Sequence, residues 1–348
     1  MPTRQTEQTE QPPESGNRTA LPGPTHQSYQ SQFHERWSSL RDPHVRALAW
    51  LLEAPDLLDV HAQRWNGRIA TLGTLSEMDV TWLHALDRNP RALYVLINAQ
   101  PSARLGRYAE KLLTFYLQET GRLIAHNVQV RNGPNDTIGE FDFIVHDEQR
   151  TGAVHWEFAT KFYLLESHQA EMQAEAFVGP NLADSLGAKM DKIMQQQLKL
   201  AEHPAAAQYL QQPVTHAQAL VKGWLFYRDE AAAATPLPAG LGVAREHCHG
   251  FWCELSALDL TLAEHYLVLP RLEWLAPARA LVANALSADQ LHEAVSLCFA
   301  ETLAPVMIAV CDRDGNGEVV LERQRGFIVP DDWQEKAAQR VQHAVVKY

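Results

Sequence analysis

The 348-residue sequence holds only four cysteines, Cys248, Cys253, Cys298 and Cys311. They are too sparse for a disulfide scaffold, which a chain long enough to bury a large core does not need, so a reducing cytoplasm is the expected setting. No run of about 18 apolar residues occurs, and no membrane-spanning helix is expected. The opening MPTRQTEQTEQPPESG lacks a basic start followed by an apolar segment, so neither secretion nor a membrane partner is expected. Positive charge is also short. Thirty Lys and Arg stand against 42 Asp and Glu, a formal net charge of −12. That opposes a broad non-specific embrace of nucleic acid, and any phosphate binding must be local or metal-assisted. No repeat of solenoid or propeller length is present. What is there, 46% hydrophobic and 21% charged residues, fits a globular protein of about two domains.

Residues 1–30 are rich in Gln, Thr and Pro and are expected to form a disordered tail. Residues 31–100 read as a helical section: Asp42-Pro43 is a cap followed by a first-turn proline, and Val45, Leu48, Leu51 and Leu52 recur at helical spacing. A core follows over 101–230. It opens with a helix over Ala103–Thr120, stopped by Gly121, with Leu105, Tyr108, Leu112 and Tyr116 on one stripe. The period then changes. Leu123–Arg131, Thr137–Val145 and Ala153–Leu164 read as three strands of a meander, with turn signals at Asn132-Gly133-Pro134 and Thr151-Gly152. A helix over Asp184–Ala201 and a strand over Ala219–Arg228 complete an α/β order of helix, three strands, helix, strand in a mixed sheet. Residues 231–348 read as an α+β extension packed on the core, with weaker patterning.

Strand side chains alternate between faces, so Glu140, Asp142 and Ile144 share one face of GEFDFIV while Phe141, Phe143 and Val145 share the other. In the next strand Glu157, Ala159, Lys161 and Tyr163 lie opposite Trp156, Phe158, Thr160 and Phe162. Pairing the two strands lets Asp142 and Glu157 approach, and two like charges in one place need a proton or a cation. Lys161 supplies one, and a divalent metal another. Oxygen-only ligands suit Mg²⁺ or Mn²⁺, which leave positions for a phosphate oxygen and an attacking water, while a neighbouring lysine positions that water. Glu110 is the third acid, leaning from the preceding helix; its plainer role is a surface acid paired with Arg107 or Lys111.

These residues, in this order, resemble the PD-(D/E)XK nuclease superfamily, and the resemblance covers roughly residues 100–230. It implies a restriction-endonuclease-like core in which Glu110, Asp142 and Glu157 hold Mg²⁺ or Mn²⁺ and Lys161 serves the attacking water. The lysine of the family pattern falls at Ala159 here, and Lys161 lies two residues further along the same face. The implied activity is hydrolysis of phosphodiester bonds in DNA or RNA. Because the superfamily contains members without cleavage, the alternative is a catalytically inactive module that binds nucleic acid or a protein partner. Over a longer span the chain resembles a bacterial family of domains of unknown function placed in that superfamily, through ARLGRYAEKLLTFYLQ, GEFDFIV, HWEFATKFYL and RGFIVPDDW.

Other features carry weaker signals. Lys189, Lys192, Gln196 and Lys199 share one helix face beside Leu186, Met190, Ile193 and Gln197, and the basic face reads as solvated or as a phosphate contact. By resemblance Lys192 and Gln196, with Glu140, are secondary site residues. A groove built from Arg104, Arg107, Arg131 and Lys189 is a second source of local positive charge. His247, Cys248, His249 and Cys253 imitate a zinc set, yet Cys248 faces away from both histidines in a strand. Asp312–Gly317 imitates a calcium loop but lacks the acid at its twelfth position and reads as a hairpin turn. His155 reads as a packed strand histidine, and Pro330–Trp333 as the end of a strand and the start of a helix.

Overall fold

The computed structural model describes residues 28–133, 136–147, 152–167, 172–261 and 263–345. Residues 1–27 of the expected tail, and Pro134 and Thr151 of the two turn signals, lie outside the described residues. The N-terminal section is helical: α1 (Tyr29–Arg36), α2 (Pro43–Glu53), α3 (Glu77–Arg88), α4 (Arg91–Ala99) and α5 (Leu105–Glu119). Helix α1 starts inside the stretch expected to be a tail, because the Ser28 side chain caps it and Tyr29 packs edge-on against Trp224. Helix α2 starts as its sequence dictates, with the Asp42 carboxylate accepting the amides of His44 and Val45. Helix α5 ends at Gly121, whose φ of 61° lets the Arg122 amide turn back onto the Leu117 carbonyl.

Then come β1 (Leu123–Arg131), β2 (Thr137–His146) and β3 (Ala153–Leu165), an antiparallel meander. A short β4 (Phe177–Val178) pairs with the end of β3, followed by α6 (Leu186–Gln195) and β5 (Val214–Tyr227), which runs parallel to β3. The expected order of helix, three strands, helix and strand is therefore present. The expected second helix is shorter: at Gln196 the backbone (φ −122°, ψ −61°) leaves the α-helix and continues as a 3₁₀ turn over Gln197–Glu202. Strand β5 begins at Val214 rather than Ala219, since its first residues pair with β3 while staying largely at the surface.

The remainder comprises α7 (Glu230–Ala234), β6 (Cys248–Glu254), β7 (His265–Val268), β8 (Arg279–Leu281), α8 (Ala288–Glu301), β9 (Val306–Arg313), β10 (Val319–Val329) and α9 (Trp333–Val345). Its strands continue the same sheet. The order is β1-β2-β3-β5-β6-β10-β9-β7, with β4 on β3 and β8 on β10, a mixed α/β architecture around ten strands. Strands β3, β5, β6 and β10 are mutually parallel at the centre, and antiparallel strands flank them. The Asp312–Gly317 segment is the end of β9 and the hairpin connection to β10, where the Asp314 carboxylate accepts the amides of Glu318 and Val319.

One face of the sheet forms a single apolar cluster with the N-terminal helices, from Phe143 and Val145 through Trp156 and Trp224 to Met307 and Ala309. The opposite face is divided among three clusters, under the 3₁₀ turns, under α6, and under α8. Arg325, fully buried on β10, lies 4.1 Å above the Trp224 ring and donates to both Glu322 oxygens and to the carbonyls of Trp274 and Ala276. This staple fixes the 271–278 segment against the sheet.

Candidate functional site

The site starts from an irregularity between β1 and β2. His126 pairs with Phe143 and Val128 with Phe141, which leaves Asn127 opposite Asp142. Asn127 sits in the left-handed region, φ 53°, a conformation asparagine tolerates better than most side chains. Across this point the faces exchange: Phe141 packs with Ile144 in one cluster, while Phe143 and Val145 belong to the other. The even alternation expected for GEFDFIV therefore breaks at Asp142, because one left-handed residue in the partner strand kinks both. Beyond Phe143 the β2–β3 ladder stops. There the Asp142 carboxylate accepts the Phe158 amide at 3.0 Å and takes the place of a ladder bond.

Glu157 precedes that amide and points to the α6 side. Its side chain is 3% exposed, Gln197 Nε2 donates to its Oε1, and its Oε2 has no hydrogen-bond partner among the described residues. Burial first, then the Asp142 charge, raises the Glu157 carboxyl far above the ordinary carboxylate range; burial also raises Asp142, against the Phe158 amide. Lys189 opposes the shift at both acids, and its ammonium donates to Gln197 Oε1 at 3.1 Å. Burial and the nearby Lys161 charge lower Lys189 in turn. His155, 0% exposed, stands behind Glu157 with Nε2 3.8 Å from its Oε2, and its ring meets Phe141 edge-on. Burial pushes it down to about 4, so it is neutral.

Glu110, Asp142, Glu157, Lys161 and Lys189 line one cleft of about 260 Å³. Four of these are the residues the sequence assigned to catalysis. Glu110 is also paired with Arg107 at 2.9 Å, so the plainer reading of this acid holds as well; burial raises its carboxyl and Arg107 opposes the rise. Lys161 reaches Asp184 at 3.5 Å, beside the Tyr163 hydroxyl, and makes no ion pair with Asp142 or Glu157. At this point β5 passes close to β3: a Cβ on Gly223 would lie 1.9 Å from the Lys161 carbonyl oxygen. Glu140 lies outside the cleft, 3.7 Å from Arg107. Lys192 and Gln196 are exposed. The break after α6 turns Gln197 inward in place of Gln196. A polar residue continuing the apolar stripe of Leu186, Met190 and Ile193 was the signal for Gln197.

Among the described residues no three His, Cys, Asp or Glu side chains gather as a metal group. Asp142 and Glu157 nevertheless fit a hard divalent ion, which takes one or two carboxylates and keeps several waters. The buried, unpartnered Glu157 Oε2 beside Asp142 is what such an ion would satisfy. The histidine–cysteine cluster does not fit zinc: Cys248 is buried on the other face, and His247 is engaged by Tyr227 and the Ala244 carbonyl. No described helix is long and apolar enough to cross a membrane. No curated protein and no solved structure matches the chain. The family model described as Domain of unknown function (DUF1853) matches residues 46–329, and the chain belongs to that family.

Proposed function

We propose that this member of the DUF1853 family is a metal-dependent nuclease built on a restriction-endonuclease-like core of the PD-(D/E)XK kind, hydrolysing phosphodiester bonds of DNA or RNA. The observation that carries the reading is the buried pair Asp142 and Glu157, two carboxylates in one cleft with Glu157 Oε2 unpartnered. Bound there, Mg²⁺ or Mn²⁺ would neutralise charge on the phosphate and favour the deprotonated form of a water. Asp142 is oriented for this by the Phe158 amide and Glu157 by Gln197. Lys189, tied to Gln197, is the cation that acts on both acids, and it would position the attacking water. Lys161, on the same wall, would contact the incoming phosphate, and Glu110 closes the rim with Arg107. The test is Mn²⁺ titration calorimetry on wild type and Asp142→Ala, followed by a DNA and RNA cleavage panel. Binding and cleavage by wild type, both lost in the variant, are expected; unchanged cleavage sinks the proposal.

A second reading is favoured by the ion pairs of Lys161 with Asp184 and of Glu110 with Arg107. Both side chains are partnered without a metal, as a noncatalytic module binding nucleic acid or a protein requires. Absence of Mn²⁺ binding at millimolar concentration would select it.

A further inference from the structure

Beside the carboxylate cleft lies a second cavity of about 270 Å³, and the two share Gly106, Thr160 and Lys161 as a common wall. Its character is opposite. Arg104, Lys161 and Arg271 line it against one carboxylate, Asp184, in a chain whose net charge is −12. Asp184 is already engaged by Lys161 and by the Tyr163 hydroxyl. Arg104 and Arg271 make no ion pair among the described residues.

The cationic wall is held in place before any ligand arrives. Arg271 lies over the Trp274 ring, 5.4 Å from its centroid, and the Trp274 carbonyl is tied to the buried Arg325. Arg104 stands at the start of α5, which has neither a side-chain cap nor an acid in its first turn, so unneutralised amide dipoles add to the two guanidiniums. Guanidiniums with planar donor forks and no internal acid partner suit a phosphate oxygen pair.

We infer that this cavity is the subsite for a second phosphate of a polynucleotide, the one adjoining the phosphodiester held over Asp142 and Glu157. The inference rests on the nuclease reading and extends it: the substrate is a polymer, and its backbone crosses Gly106 from the acidic cleft to the cationic one. Glycine suits that crossing, since a Cβ there would meet nothing within 4 Å and the wall stays low.

The test is fluorescence anisotropy of end-labelled single-stranded DNA and RNA oligonucleotides with the full chain in metal-free buffer, which reads binding without cleavage. Wild type is expected to bind at least one of the two polymers, and the arm that binds identifies it. Arg104→Ala/Arg271→Ala should weaken binding at least about tenfold, and the slope of log K against log salt should fall by about 0.7 for each phosphate left unneutralised. Gly106→Glu should weaken binding as well; its side chain enters open space and an acid suits the first turn of a helix, so the fold is retained. Arg245→Ala, outside both clefts, should bind as wild type. Wild-type affinity in both the arginine and the Gly106 variants, or no binding of either polymer by wild type, overturns the inference. Loss of binding in these variants without cleavage by wild type in Mn²⁺ would leave the subsite standing and remove the nuclease reading alone.

Discussion

Asp142 is joined to Phe158 by a hydrogen bond from the Phe158 amide to the Asp142 carboxylate, at the point where β2 and β3 cease to pair. The side chain of one strand replaces the backbone of the same strand as acceptor. The bond places Asp142 against the residue that follows Glu157, so the two acids meet one step past the last paired residues of the two strands, Phe143 and Trp156.

Asparagine at 142 keeps an acceptor for that amide and removes the charge, whereas alanine removes both. Asp142→Ala should lose about 1–3 kcal/mol of stability in urea denaturation, because the Phe158 amide is left unpaired next to a buried ring. Asp142→Asn should stay near wild type in stability, and both variants should lose Mn²⁺ binding by calorimetry. Wild-type metal affinity in Asp142→Asn would refute the assignment.

Gln197 touches both Glu157 and Lys189, while Gln196 beside it is exposed. Gln197→Ala should weaken Mn²⁺ binding by about 10- to 100-fold, the range typical of groups that orient a metal ligand. Gln196→Ala should leave the calorimetric isotherm unchanged. Equal effects from the two would show that the inward turn after α6 has no bearing on the site.

The two lysines of the cleft should differ in weight. Lys189→Met should lower cleavage by at least about 100-fold, as loss of one preorganised donor does. Lys161→Met should cost less, since Asp184 already holds that ammonium. Rates measured on one oligonucleotide for both variants decide, and the reverse ranking would return the water-positioning role to Lys161.

Arg325 and Glu322 form a fully buried ion pair. Arg325→Met strands the Glu322 charge and should cost about 3–5 kcal/mol, while Arg325→Met/Glu322→Met should cost less than the single variant. Urea denaturation of the three chains tests this. A double variant less stable than Arg325→Met would contradict it.

His34 is buried, accepts at Nδ1 from Arg46 at 3.3 Å and donates from Nε2 to the Glu322 carbonyl at 3.1 Å, which makes it neutral. Burial first, then the Arg46 charge, pushes it down to about 3. The unfolded chain therefore binds a proton that the folded one does not between about pH 6.5 and 3. Its stabilising effect is complete above about pH 6.5 and is lost as pH falls toward 3, at up to about 1.4 kcal/mol per pH unit. His34→Gln should flatten the fall in urea stability between pH 7 and 5; an unchanged slope would show that His34 is not responsible.

Much of the fold was legible because local chemistry specified it. The Asp42 cap is a side chain acting on its own backbone two and three residues on, and the Gly121 stop is a backbone conformation that glycine adopts freely. Glu157 and Lys161 keep the shared face that the strand period of β3 implies, whereas Asp142 reaches the same cleft through a break in the alternation of β2.

The sequence by itself determined the order of helix, three strands, helix and strand between α5 and β5, and which face of β3 carries acid and base, since both follow from periods of 3.6 and 2 residues. Only the tertiary structure decided what those side chains touch. The kink at Asn127, the inward turn of Gln197, the capture of Lys161 by Asp184 and the joining of β6 and β10 to β5 through one continuous sheet depend on groups far apart in the chain. Such contacts form because burial leaves each polar group to find whatever partner the packing brings near, and no local pattern of residues encodes that partner.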